Sequence, residues 1–189
     1  LNKINSSFKG RVTLNRDLAN LSWLNVGGKA SIFFKAEDLN DLLNFIRDMK
    51  KFNVNIKTIG AGSNLLIRDG GFKGAIIKLG KNFSNFSLTK DSMIISGTAA
   101  LDKKLSQFAL ENSLSGFEFL SCIPGSVGGG IQMNSGCYDH DISQILLSVQ
   151  AVDLKGRLIT IPRSEIKFHY RGSNLDSDLI FVSATFQGT

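Results

Sequence analysis

The sequence predicts an α+β protein in two lobes, and three observations carry that expectation. Strand-like and helix-like segments are mixed without the regular alternation of a doubly wound sheet. The first glycine loop, Gly60–Asn64 (GAGSN), runs into LLIRDGG, a strand and turn. A dinucleotide fingerprint there would need a third glycine and a helix. A second glycine-rich stretch, Gly116–Gly136 (GFEFLSCIPGSVGGGIQMNSG), holds six of the nineteen glycines and one of the two prolines. Glycine concentrates where a backbone turns sharply or lies close against something.

The elements follow in order. Residues 1–20 read as a polar lead-in, and Ser22–Gly28 as a turn after a buried-looking Trp23. Ala30–Ala36 (ASIFFKA) is a short strand. From Asp38, the residues Leu39, Leu42, Leu43, Ile46, Met49 and Phe52 recur at three and four spacing, one face of a helix. Acids open that helix and Lys50 and Lys51 close it, as its dipole prefers. Val54–Ile59, Leu65–Arg68 and Gly74–Leu79 read as strands, with a turn at Asp69–Gly71. Met93–Ser96 is a strand and Leu101–Asn112 a second amphipathic helix. Ile145–Asp153 and Arg157–Ile161 form a hairpin about Lys155-Gly156, and Leu179–Phe186 is a last strand. The fourteen phenylalanines are expected in the core.

A chain of 189 residues with 42% hydrophobic and 20% charged residues is ordinary globular composition, large enough for a core. No apolar run reaches bilayer-spanning length, and residues 1–10 lack the apolar core of a signal peptide. The net charge of +6 suits phosphorylated small molecules as well as nucleic acid. The basic residues are scattered, and no aromatic stacking signature accompanies them, so neither nucleic acid nor membrane is expected as a partner. Cys122 and Cys137 lack a CxxC pattern or a histidine at ligand spacing, so they are read as reduced, inert thiols and no metal site is expected.

Alone, the Gly60–Asn64 loop is either an anion-binding nest or an ordinary turn. Likewise, Gly116–Gly136 interleaves apolar residues with glycine, which fits a main-chain surface for a flat ligand or a tight helix–loop–helix junction.

Taken together, Gly60-Ala61-Gly62-Ser63-Asn64-Leu65, Asp69–Phe72, Gly116–Leu120, Ile123–Gly129, Met133–Gly136 and Tyr170-Arg171 occur in one order. That set resembles the flavin-binding part of the bacterial UDP-N-acetylenolpyruvoylglucosamine reductases, from about Ser22 onward. The resemblance implies a p-cresol-methylhydroxylase-type fold, not a Rossmann fold, with FAD held non-covalently between two α+β lobes. It implies a lead-in at 1–20, one FAD-binding lobe at 21–80 and a second at 81–189. It implies NADPH as reductant, a UDP-sugar enolpyruvyl substrate, and reduction to UDP-N-acetylmuramate for peptidoglycan in the cytoplasm. A monomer is expected.

Carried over by residue, Gly60, Ala61, Gly62, Ser63, Asn64 and Leu65 are expected around the FAD pyrophosphate. Ile123, Pro124, Gly125, Ser126, Val127, Gly128, Gly129, Gly130, Asn134 and Gly136 are expected around the flavin ring and ribityl chain. Arg171 resembles the family's catalytic arginine and Tyr170 its substrate-contacting neighbour. A guanidinium suits the role, since it is always charged and offers a rigid donor fork to the enolpyruvyl carboxylate as negative charge builds. Alternation along a strand would separate Tyr170 from Arg171 unless a bulge or a strand end falls there, which Gly172 permits. His169 and His140 are read as structural. Three positions depart from the family: Cys122 and Asp139 stand where glycine is usual, and Cys137 where a small residue is. The family's proton-donating serine and late glutamate are expected in a substrate domain after Thr189, so this chain is read as a fragment. The alternatives are another flavin oxidoreductase of the same fold, such as a small-alcohol oxidase, or a non-catalytic FAD-binding remnant.

Overall fold

The computed structural model describes residues 8–188, so part of the expected lead-in lies outside the described residues. Its first sheet has the order β1-β2-β4-β3: β1 (Arg11–Asp17), β2 (Lys29–Ala36), β4 (Phe72–Leu79) and β3 (Ile56–Thr58). β1 runs antiparallel to β2, and β2, β4 and β3 are mutually parallel. The crossover is α1 (Leu39–Lys51), which starts where predicted because the Asp38 side chain accepts the Asp41 N–H at 2.9 Å. Leu42, Phe45, Ile46 and Met49 of α1 are buried against Phe34 and Ile77 of the sheet, with the Phe34 and Phe45 rings stacked at 4.1 Å. Each such side chain contributes roughly 1.5–3 kcal/mol. Packing of this kind, more than propensity, holds a helix of this length.

The second sheet has the order β10-β9-β13-β6-β5, from β5 (Phe86–Leu88), β6 (Met93–Gly97), β9 (Leu146–Val152), β10 (Leu158–Pro162) and β13 (Ile180–Gln187). α2 (Asp102–Glu111) and the apolar residues of Gly116–Gly136 cover it, with Leu105, Phe117, Leu120, Val127 and Ile131 fully or almost fully buried. β13 serves two cores. Its Ile180 and Val182 join the α1 core, whereas Phe181, Ala184 and Phe186 join the other. A register shift between Phe181 and Ser183 makes this possible by flipping which residues face which side.

Several expectations are corrected. Part of the lead-in is β1, whose polar residues suit an edge strand with one face in water. Leu65–Arg68 is not a strand: its carbonyls bond irregularly, Leu65 O to the Ser22 hydroxyl and Arg68 O to the Gly28 N–H. Trp23 is 61% exposed: Leu18 and Ser22 take the buried positions of that segment, and the Trp23 backbone is held outside by its N–H donating to Gly62 O. Phe52 likewise projects into solvent just past the C-terminus of α1. Within the glycine-rich stretch, Val127–Met133 (VGGGIQM) is a helix, α3, preceded by a 3-10 turn at Glu118–Cys122.

Candidate functional site

Between the lobes lies a cleft of about 360 Å³, lined by Gly60 and Ala61 at the end of β3 and by Ser126, Gly128 and Gly129 at the start of α3. That volume is in the range of small-molecule sites. The two glycine segments, 66 residues apart from Gly60 to Ser126, meet here. A Cβ on Gly60 would lie 2.4 Å from the Ser126 hydroxyl, so at Gly60 the first loop approaches the second closely and a side chain there would have to move that hydroxyl. On Gly129 a Cβ would touch only the Ser126 hydroxyl, at 3.4 Å, which leaves that backbone open to the cleft.

Other predicted positions serve the fold beside the cleft. Gly62 has φ +75° and is pressed against the Leu21 carbonyl, with its own carbonyl accepting the Trp23 N–H. Val127 and Gly128 donate their N–H groups to Ala100 O and Thr98 O, both at 2.9 Å, so neither amide is free for a ligand oxygen. Gly125 and Gly130 make room for the buried Asp102 carboxyl, which a Cβ would meet at 2.6 and 3.3 Å. Asn134 caps α3 at φ 43° and ties down the next segment, its amide donating to Asp141 and its oxygen accepting the Ser143 N–H. Gly136 belongs to a two-residue ribbon, β7 (Gly136–Cys137) with β8 (His140–Asp141). Ser63, Asn64, Leu65, Ile123 and Pro124 flank the cleft in sequence without lining it.

Arg171 stands in a hairpin. β11 (Phe168–His169) and β12 (Gly172–Ser173) pair, with Tyr170 and Arg171 as the turn between them. The strand end removes the alternation problem, and Arg171 takes φ 60°, an uncommon torsion for a side chain of its size. Both turn residues are exposed, the guanidinium 5.7 Å from the Tyr170 ring centre. The hairpin is anchored to the cleft through Gln132, a lining residue: Ser173 donates to Gln132 O and the Gln132 amide to Leu175 O. Arg171 itself does not line the cleft in this form.

Sequence reasoning passed over Thr58, Lys78, Thr98, Gln132 and Ser177, which all line the cleft. Lys78 had a readable signal, a lone cation inside the apolar strand GAIIKL. The pair Lys57–Asp178 joins the two lobes near this rim, at 2.7 Å, with Lys57 also on the Ser177 hydroxyl. Glu118 is exposed and accepts the Gly116 N–H at 2.8 Å. The Cys137 thiol donates to Phe119 O at 3.2 Å, and burial, with Cys122 beside it, pushes its pKa up, away from a reactive thiolate.

Comparison with known proteins supplies the deciding observation: the family model described as FAD binding domain matches residues 30–162. The chain belongs to that FAD-binding family. It is 47% identical, over its full length, to the UDP-N-acetylenolpyruvoylglucosamine reductase of Pelagibacter ubique, and spans 62% of that relative. The crystal structure of the corresponding reductase from Thermus caldophilus superposes over 96% of this chain and 62% of its own, with TM-score 0.80 and 27% identity. The 6-hydroxy-D-nicotine oxidase of Arthrobacter nicotinovorans, at 13% identity and TM-score 0.70 over 96% of this chain and 42% of its own, shares the fold alone. The p-cresol-methylhydroxylase-type architecture read from the resemblance is therefore correct, and FAD is the cofactor of the family. The cleft fits that group. It offers glycine backbone at Gly60 and open glycine backbone at Gly129, apolar walls at Ile59 and Leu101, and one cation, Lys78, for a phosphorylated ligand.

Proposed function

We propose that this chain is the FAD-binding portion of an NADPH-dependent UDP-N-acetylenolpyruvoylglucosamine reductase, acting as a cytoplasmic monomer in peptidoglycan precursor synthesis. The observation that carries this is the 47% identity along the entire chain, together with the meeting of the two glycine segments at one cleft. In this reading the lobes are 21–80 and 81–189, with the β1 strand (Arg11–Asp17) of the expected lead-in added to the first lobe's sheet.

FAD, when bound, supplies the hydride-transfer chemistry. The protein's part is to hold and to polarise. Gly60 and Ala61 bring backbone against the pyrophosphate, with Gly62 fixing the loop behind them. Ser126 and Gly129 offer a surface without bulky side chains to the flat ring. Arg171 binds the enolpyruvyl carboxylate and stabilises the charge that builds beside it, a role in which one donor is worth ~3–4 kcal/mol. The two Gln132 bonds support this role, since they tie the Arg171 hairpin to a residue that lines the cleft.

The test is spectroscopic. Purified chain should be yellow, or become so with added FAD, and NADPH should bleach it in the full-length protein. A colourless chain that takes up no FAD would overturn the reading.

A further inference from the structure

The chain has two cysteines in 189 residues, Cys122 and Cys137, and the fold sets them side by side. Cys122 ends the 3-10 turn Glu118–Cys122 and is exposed. Cys137 is half-buried in β7, which packs on that turn. The Cys137 thiol donates to Phe119 O at 3.2 Å, and the Cys122 thiol lies against it within hydrogen-bonding contact. On its other side the Cys122 sulfur is 3.7 Å from the Ser121 hydroxyl. Unpaired cysteine is usually a buried, packing residue, so packing does not account for an exposed one placed beside a second thiol.

What lies between the two sulfurs is the wall of the cleft. The segment Ile123–Gly136 contains α3 and brings Ser126, Gly128, Gly129 and Gln132 to the lining. Its two ends therefore meet at the thiols. The segment holds five glycines, which leave it unusually free when unfolded, so a covalent closure of its ends has much entropy to remove. The two thiols also differ in access. Cys122 is open to a dissolved reagent, whereas burial and the neighbouring Cys122 keep Cys137 protonated to higher pH. An exposed thiol that reacts first and a sheltered one that follows make up the two halves of thiol–disulfide exchange.

We propose that Cys122 and Cys137 are a reversible modification site for low-molecular-weight disulfides, and that the bridge they form locks the cleft wall between them. In the first step the Cys122 thiolate attacks the small disulfide, forms a mixed disulfide with one half and releases the other half as a thiol. The Cys137 thiolate then attacks the Cys122 sulfur, and the second half leaves. The two cysteines give up two protons and two electrons, and the small disulfide takes both electrons as its sulfur–sulfur bond breaks. The thiols already touch, and the bridge closes their sulfurs to about 2 Å. An exposed bridge is readily reduced again, so the site is a switch and not a permanent staple. It stands independently of what the cleft binds.

The test uses glutathione disulfide on the purified chain, with free thiols counted, peptides mapped by mass spectrometry and thermal unfolding recorded. Both thiols are expected to disappear into a Cys122–Cys137 bridge that retains no glutathione. Tm is expected to rise by about 5–10 °C, the effect of closing a loop of this size in a domain of this length. Dithiothreitol should reverse it. Amide exchange across residues 123–136 should slow about tenfold in the bridged form. In Cys137→Ser, Cys122 should hold one glutathione as a stable mixed disulfide. In Cys122→Ser, Cys137 should react roughly tenfold or more slowly than Cys122 does, and faster as pH rises. Wild-type chain that carries two glutathiones, links to a second chain or keeps both thiols overturns the proposal. A bridge that leaves Tm and exchange unchanged overturns the lock. These wild-type measurements decide the matter even if a serine variant fails to fold.

Discussion

Gly60 and Ser126 meet face to face across the cleft, one from each sheet's lobe, with only 2.4 Å between the Ser126 hydroxyl and the place a Cβ on Gly60 would occupy. A real Cβ does not tolerate that distance, so Gly60→Ala has to displace the hydroxyl or part the two segments. The Ser126 Cβ would stand at a comfortable 3.6 Å. Gly60→Ala is therefore expected to weaken FAD binding about tenfold, a cost of ~1.4 kcal/mol, and Gly60→Ala/Ser126→Ala to recover most of it. A double-mutant cycle on flavin affinity measures this; strictly additive losses would show that the two residues do not oppose each other.

Asp102 supplies a pH prediction. It is fully buried under Gly125 and Gly130, and neither carboxyl oxygen has a hydrogen-bond partner among the described residues. Loss of water raises its pKa to about 7. The folded state thus holds a proton that the unfolded chain, with an ordinary carboxyl near ~4, releases earlier. Stability is then highest in mild acid, falls as pH rises from about 4 to 7, and is flat above, by an amount on the order of 4 kcal/mol. Asp102→Asn should flatten that slope and be the more stable protein at pH ~8.5. Urea unfolding at several pH values decides it, and parallel pH curves for the two proteins would count against the protonated carboxyl.

How much of this was legible follows from which forces act locally. α1 was readable because its spacing, its Asp38 cap and its terminal charges all act within a few residues of sequence. The GAGSN loop and the proline–glycine run were readable as backbone in close approach, and the resemblance joined them. α3 was not readable, because three consecutive glycines have among the poorest helix propensities. It is helical because its first amides are taken by Ala100 and Thr98 and because Gly130 fits against Ile142. Those contacts come from other elements, as does the bulge that lets β13 change faces. Trp23 misled because its side chain suggests burial, whereas the tertiary path of the segment buries Leu18 and Ser22 instead.

The β7–β8 ribbon turns on Tyr138 and Asp139, at φ 54° and 62°. Positive φ at both central residues is the geometry for which Asn-Gly is preferred. Replacing Tyr138-Asp139 by Asn-Gly is expected to stabilise the protein by roughly 0.5–1 kcal/mol. Thermal unfolding monitored by circular dichroism should show a higher midpoint; a lower one would mean that Tyr138, 80% exposed here, is held by contacts elsewhere.

Arg171 gives the prediction closest to chemistry. In the full-length reductase, Arg171→Ala should leave the protein yellow and reducible by NADPH, yet slow substrate turnover by a factor of about 100–1000. Arg171→Lys should recover little, since an ammonium lacks the planar fork. Stopped-flow reoxidation of the reduced flavin by substrate separates these steps, and wild-type reoxidation in the alanine variant would remove Arg171 from the mechanism.

The divided loyalty of β13 bears on how such a chain is born. Ile180 and Val182 close one core while Phe181, Ala184 and Phe186 close the other. During synthesis, neither lobe has its last wall until this strand leaves the ribosome. The β2–α1–β4 layer, for all its local order, has to wait with apolar faces open for more than a hundred residues' worth of translation. At typical elongation rates that is on the order of 10 s. A chaperone that shields hydrophobic surface on nascent chains has its longest task on this protein just before residue 180 appears.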